Sequence, residues 1–257
     1  MSLKEQNETI KEKVRMTFSL SEDTASNEEI RTRLLDGGKI TGTNMCVMVC
    51  AMVIASVGLN VGSTAVIIGA MLISPIMGSI LASAYGNVAT DYKLLRNYMI
   101  GLGMQVAISV AAASIYFFLS PVKEPSAELI ARTSPTFFDV LIAFFGGLAG
   151  IIGQTRIDKT NTVIPGVAIA TALMPPLCTC GYSIANHQWH MLFGAGYLFI
   201  INAYFIFLAA SIILTVLKIP KTKELSEKEW KIHCLKMVRN TLIIAIPSIV
   251  ALYWMVH

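Results

Sequence analysis

The sequence predicts an all-α membrane protein of about seven transmembrane helices, with a polar leader over residues 1–42 and a transmembrane domain over 43–257. Three observations predict this class. First, 54% of the 257 residues are hydrophobic and only 14% are charged, whereas a soluble domain carries about a quarter charged residues. Second, the charge is gathered in residues 1–42 and 218–239 and nearly absent between them. Third, the intervening stretches hold apolar runs of roughly 18 residues or more, enough to cross a hydrocarbon core of about 30 Å as helix. Helix is expected because backbone polar groups in that core must be satisfied within the segment. The period-two alternation of a membrane barrel is absent.

The leader opens with Lys4, Glu5, Glu8, Lys11, Glu12 and Lys13, with no short apolar region before a small-residue cleavage site. A cleaved signal peptide is therefore not expected, and the first apolar helix serves as the insertion signal. Ser26-Asn27-Glu28-Glu29 reads as a capping box. Ile30, Leu34 and Leu35 add an apolar stripe, and Gly37-Gly38 ends this short amphipathic helix. It lies on the membrane surface, packs on a neighbour or stays solvated. Spans then follow over about 45–59, 63–86, 98–120, 137–153, 163–185, 191–217 and 242–256, the fourth after a loop holding Pro121, Pro125 and Pro135.

Lys and Arg set the orientation. With the N-terminus inside, inner segments hold 18 of them and outer segments only Lys123 and Arg132, as the positive-inside rule requires. This parity puts the N-terminus on the cytoplasmic side and the C-terminus outside. Making spans two and five re-entrant changes the ratio to 16 against 4, which fits less well.

Spans two and five resemble each other. Val66-Ile67-Ile68-Gly69 matches Val163-Ile164-Pro165-Gly166, and a hydroxyl, Ser74 or Thr171, stands five residues beyond each glycine. Prolines follow in both: Pro75 in one, Pro175 and Pro176 in the other. Either the match is chance or spans one to three and four to six are equivalent units. In the second case they form an inverted 3+3 repeat with two proline-broken helices plus a C-terminal helix, the architecture of many secondary transporters. Proline lacks the N–H that bonds four residues back, so Pro75 is expected to free the carbonyl of Met71, and Pro175 and Pro176 those of Thr171 and Ala172. Such carbonyls are tolerated at membrane depth where protein or a water-lined cavity meets them. The breaks are thus candidate ion or solute sites; a plain kink closed by the neighbouring hydroxyl is the alternative.

Gly58-Leu59-Asn60, the run from Ser63 to Gly78 (STAVIIGAMLISPIMG) and the run from Gly147 to Tyr182 (GLAGIIGQTRIDKTNTVIPGVAIATALMPPLCTCGY) resemble domain-of-unknown-function family 389, hydrophobic membrane proteins of prokaryotes. The resemblance covers roughly residues 40–217 and implies a polytopic inner-membrane protein. It implies no activity and carries over no catalytic residue. Some relatives have a larger N-terminal soluble portion, for which a leader ending at residue 42 is short.

Other residues have two readings each. Ala70, Ser74, Gly78, Ala82 and Gly86 form a small-residue stripe, with Gly146 and Gly150 a shorter one, and both read as helix-packing surfaces within or between subunits. Asp139, three residues after Thr136, caps the fourth helix or serves function. Arg156, Lys159 and Asn161 lie in a polar inner loop and attract an anion or anchor the loop and cap the next helix. Asn60, Gln105 and Asn202 line a pathway or bond across helices. Cys46, Cys50, Cys178 and Cys180, with the methionines, His187 and His190, read as apolar contacts before a soft-metal site. There is no H-E-x-x-H, no intramembrane aspartate pair and no histidine within a span to activate a serine. No enzyme, cofactor, metal or nucleic-acid partner is expected; the lipid bilayer and a second copy of the chain are the expected partners. The leading expectation is a small transporter or channel-like protein for an ion or polar solute. The alternative is a structural or regulatory membrane protein acting through oligomerisation or a protein partner.

Overall fold

Side-chain caps start most of the helices in the computed structural model, which describes residues 23–157, 173–222 and 226–256. Helix α1 spans Asn27–Gly37. The Ser26 hydroxyl accepts the Glu29 N–H at 3.3 Å, while the Glu29 carboxylate turns to Arg33. Ile30 and Leu34 are buried, because α1 packs on two helices of the bundle, α4 and α7, rather than lying on a surface.

Helix α2 (Gly42–Asn60) begins at Thr41, whose hydroxyl accepts the Asn44 N–H. The second apolar run divides into α3 (Thr64–Ile73) and α4 (Ile76–Val88), bent by 47° at Ser74-Pro75. Helix α5 spans Tyr92–Leu119; the Asp91 carboxylate caps it at the Leu94 N–H, so it starts well before the apolar stretch does. After the short α6 (Ala127–Ile130), helix α7 (Phe137–Thr155) opens with Asp139 accepting from the Thr136 N–H (2.7 Å) and hydroxyl (2.8 Å). Helices α8 (Met174–Ala185), α9 (Trp189–Val216) and α10 (Glu227–Val256) complete the described chain.

Among the described residues, α2, α5, α7 and α9 are long and apolar enough to cross a membrane, and the bent α3–α4 pair makes a fifth span if counted as one. Of the expected fifth span, 163–185, only the α8 half falls in the described residues. The expected seventh, 242–256, is the apolar half of α10, whose first half is polar. Tyr197 and Tyr204 of α9 hold α10 by donating to the carbonyls of Ile244 (2.7 Å) and Met237 (3.1 Å).

The hydrogen bonds fix the helix directions. Asn60 at the end of α2 donates to Ser120 (2.7 Å) and Tyr116 (3.3 Å) at the end of α5, so the two helices run together. Thr64 at the start of α3 donates to Glu128 nearby, and Asp91 closes the end of α4 onto the start of α5. The α3–α4 pair therefore leads from the Leu119 end of α5 back to its Tyr92 end, bent at Ser74-Pro75. The Thr222 N–H, just past α9, donates to the Ala89 carbonyl at 2.7 Å; α9 thus runs opposite to α5. Helices α4 and α8 each pack against both α5 and α9 and are buried along most of their length. Phe118, Leu119, Phe145 and Phe193 on the long helices are exposed, which suits a lipid surround.

Lengths and caps recur. Helices α2 and α7 both have 19 residues, their ends offset by 95 positions (Gly42 to Phe137, Asn60 to Thr155). Helices α5 and α9 both have 28, offset by 97 (Tyr92 to Trp189, Leu119 to Val216). The turn into each long helix is built alike. Ala89, Thr90 and Asp91 donate backbone bonds to Tyr85, Asn87 and Gly86; Asn186, His187 and Gln188 donate to Tyr182, Ile184 and Ser183. The central residues, Thr90 and His187, have φ of 55° and 56°.

Candidate functional site

The break in the second span is built by Pro75. With no N–H to continue α3, the chain turns extended at Ser74 (φ −77°, ψ 130°) and restarts as α4. The Met71 carbonyl is not left free, contrary to the expectation from sequence. The Ser74 N–H reaches back to it at 3.3 Å, a three-residue closure in place of the lost four-residue bond, and the Ser74 hydroxyl accepts weakly from the Ile76 N–H. Beside the break lies a cavity of about 220 Å³, lined by Met71, Ser74, Pro75, Gly78, Gly150 and Met174 and closed on one side by Arg33, Leu34 and Gly37 of α1.

Arg33 was not singled out by sequence. Its guanidinium, largely buried, binds the exposed carbonyls at the end of α7: Arg156, Gln154 (3.5 Å) and Ile157 (3.3 Å), with Glu29 completing the set. A cation is favoured at a helix C-terminus, and the only available signal was its position one turn from Glu29 on an amphipathic helix. Ala25 and Ile157 add backbone bonds that tie the leader to α7. Arg156 itself pairs with Asp23 at 3.0 Å. In the loop after α1, Asp36 lies 2.6 Å from the Lys39 ammonium and pushes its pKa up.

The remaining candidates are spread over the bundle. Pro175 and Pro176 are buried in the first turn of α8, next to Met174 of the cavity. Thr171, Ala172, Lys159 and Asn161, with the Val163–Gly166 motif, lie outside the described residues. Asn60 sits at the far end of α2. Gln105 and Asn202 are buried within α5 and α9, away from the cavity lining. Of the small residues, Gly78 and Ala82 take the Gly37-Gly38 end of α1, and Gly86 takes the start of α5 at Leu95. Ala70 is buried in α3, and Gly146 and Gly150 in α7. Cys46 and Cys50 are exposed on α2, while Cys178 faces the Met52 carbonyl and Cys180 that of Leu192. Among the described residues no three His, Cys, Asp or Glu side chains converge on a metal-sized site.

These features define a class: a helical protein whose long apolar helices suit a bilayer, with one span broken at proline. The chain belongs to the family described as domain of unknown function (DUF389), which matches residues 71–208. It is also similar to an uncharacterized protein of Methanocaldococcus jannaschii, at 26% identity over 188 residues. That match covers 73% of this chain but 58% of the archaeal protein, so the chain spans less than two thirds of that relative. No solved structure matches the chain.

Proposed function

We propose that this chain is a small inner-membrane transporter or channel-like protein for an ion or small polar solute, built as an inverted 3+3 repeat, and not an enzyme. The observation that carries the reading is a correspondence between oppositely directed halves. Helices α2 and α5 match α7 and α9 in length, α2 and α7 in the position of their capping pairs, and α4 and α8 end in the same turn, while α5 and α9 run in opposite directions. The offset of 97 that aligns α5 with α9 is also the offset of Val66–Gly69 from Val163–Gly166 and of Ser74 from Thr171. The offset of 95 aligns Thr41 with Thr136 and Asn44 with Asp139, the capping pairs of α2 and α7. A chance four-residue match would not extend to the cap positions of α2 and α7 and to the turns before α5 and α9. Inverted repeats with broken helices place solute sites near the midplane.

The orientation has support of the same kind. Arg31, Arg33, Lys93, Arg96, Arg156, Lys218 and Lys221 gather at the Ala89 end of the bundle, and Lys123 and Arg132 at the other. By the positive-inside rule the Ala89 end is cytoplasmic. The small-residue stripe that could have served oligomerisation is occupied within the chain by α1 and α5, which disfavours the purely structural alternative.

Two measurements test the reading. Flux through liposomes containing the full chain, against a panel of ions and neutral solutes, is expected to exceed that of empty liposomes for at least one of them. If nothing crosses, the protein is not a transporter. Single cysteines placed at Glu28 and Thr222 are expected to react with an impermeant maleimide from the cytoplasmic side only, and those at Lys123 and Thr133 from the outside only. Labelling of all four from one side would refute the through-going course of α3–α4.

A further inference from the structure

Gln105 is the fourteenth residue of α5, and Asn202 the fourteenth of α9. At 1.5 Å per residue each lies about 20 Å from either helix end, and both fall within the apolar stretches, inside a bilayer core about 30 Å thick. The 97-position offset therefore carries one buried carboxamide onto another. Neither lines the cavity at the proline break.

The Gln105 carboxamide is fully buried, and neither its oxygen nor its nitrogen has a hydrogen-bond partner. The same is true of the hydroxyl of Ser109, one turn further along α5. Three other buried hydroxyls bond to the carbonyl four residues back: Ser83 to Ser79, Thr179 to Pro175 and Ser183 to Thr179. Ser109 could close on the Gln105 carbonyl in that way and does not. Ser56 of α2 and Ser211 of α9 are also buried hydroxyls without an oxygen or nitrogen partner, and the Cys178 thiol lies beside Ser56. Cys178 in turn reaches the Met52 carbonyl, placing α2 and α8 together at this level. Buried polar groups are almost always paired, so such a group calls for an explanation.

We propose that Gln105 and Ser109 form a midplane binding site for a small uncharged solute that both donates and accepts hydrogen bonds, with Asn202 as its counterpart in the other half. This rests on the transport reading above and names its substrate class. A carboxamide offers one acceptor and two donors, and a hydroxyl offers both, so a molecule of the amide, urea or small-polyol kind answers them together. Groups four apart on a helix have Cβ atoms about 5–6 Å from each other, the span of one such molecule. Charge argues against an ion: α5 carries no charged side chain beyond Arg96, and α2, α4, α8 and α9 carry none. An ion there would be an uncompensated charge at the bilayer centre.

The test uses the full chain in liposomes, with light scattering following recovery after a jump into acetamide, urea or glycerol and, separately, into KCl or NaCl. Recovery in at least one neutral solute is expected to be about ten-fold faster than in empty liposomes, with no entry of salt; Gln105→Leu is expected to lower that rate about ten-fold, the effect of losing one or two hydrogen bonds. Gln105→Asn, which keeps the amide, is expected to retain part of the rate. Passage of salt but of no neutral solute overturns the solute class and leaves transport standing. Passage of nothing overturns transport. The site itself is read separately, by melting the detergent-solubilised protein with and without acetamide. Acetamide is expected to raise the melting temperature of wild type above that of Gln105→Met. A Gln105→Met variant more stable than wild type, with the same response to acetamide, means an empty, merely unsatisfied amide and overturns the site.

Discussion

The contact between α5 and α8 makes a sharp test of the packing. A Cβ at Gly181 would lie 2.5 Å from the Ala113 Cβ and 2.8 Å from the Ser114 nitrogen. Ordinary carbon contacts are about 3.5–4.0 Å, so Gly181→Ala needs the helices to part by about 1 Å. They are poorly free to do so. One turn of α8 holds the buried Pro175 and Pro176, and the Tyr182 ring stands edge-on to Phe117 at 5.2 Å. Overpacking of this kind costs about 1–3 kcal/mol, against a gain of up to about 1 kcal/mol for replacing a helical glycine by alanine. With a gain of about 1 kcal/mol the net loss is about 0–2 kcal/mol, and at about 2–4 °C per kcal/mol for a chain of this size the melting temperature falls by up to several degrees. Gly103 in α5 is the control, because a Cβ there meets nothing within 4 Å. Gly103→Ala keeps only the propensity gain and is expected to melt slightly higher than wild type. Thermal unfolding in detergent, followed by far-UV circular dichroism, compares the two. If Gly181→Ala shifts upward as Gly103→Ala does, the close crossing of α5 and α8 is wrong.

Two further outcomes follow from local geometry. Thr90 and His187 hold φ near +55°, a region that costs a side chain about 1–2 kcal/mol, so Thr90→Gly and His187→Gly are each expected to raise the melting temperature by about 0.5–1 kcal/mol equivalent; a fall at either turn would show that its side chain outweighs the strain. Arg33→Met leaves the carbonyls of Gln154, Arg156 and Ile157 without their charged donor. Amide exchange in α1 is then expected to speed up at least about ten-fold, as loss of charge-assisted bonds of about 1.5–3 kcal/mol implies, and unchanged protection would remove Arg33 as the tie between α1 and α7.

The apolar runs of α2, α7 and α9 were legible because hydropathy reports residues that tolerate lipid. It does not report where a helix starts. Helix α5 begins at Tyr92 rather than near Tyr98, since Asp91 caps it and the polar turn Lys93–Asn97 is helical outside the apolar stretch. The Thr136–Asp139 cap was legible from spacing alone. The break at Pro75 was legible too, but not how the Ser74 N–H would satisfy the Met71 carbonyl, which depends on the ψ adopted there. The stripe of Ile30 and Leu34 announced an amphipathic helix without saying what would cover it. Its target is the small-residue face of α4, where Gly78 admits the Gly37 carbonyl. The relation of Gln105 to Asn202 was hidden because the residue types differ and their flanking sequences share only a preference for apolar residues. Equal helix ends were needed to set the register.

The two halves correspond in length but differ in packing, and the difference falls beside the proposed site. In the second half, Gly147 of α7 lets the backbone of α9 come close: a Cβ there would lie 2.8 Å from the Ile206 Cα. The offsets of 95 and 97 carry Gly147 onto Met52 and Ile206 onto Ser109. A buried methionine thus stands where the other half has a glycine. Ser56 lies one turn further along that face of α2. An inverted pair with identical packing would stand open, or closed, to both sides of a membrane at once. A carrier needs halves that are unequal in any one state and able to exchange that inequality. If the chain is the carrier proposed above, Met52 against Gly147 is one such inequality, beside the groups proposed to bind the solute.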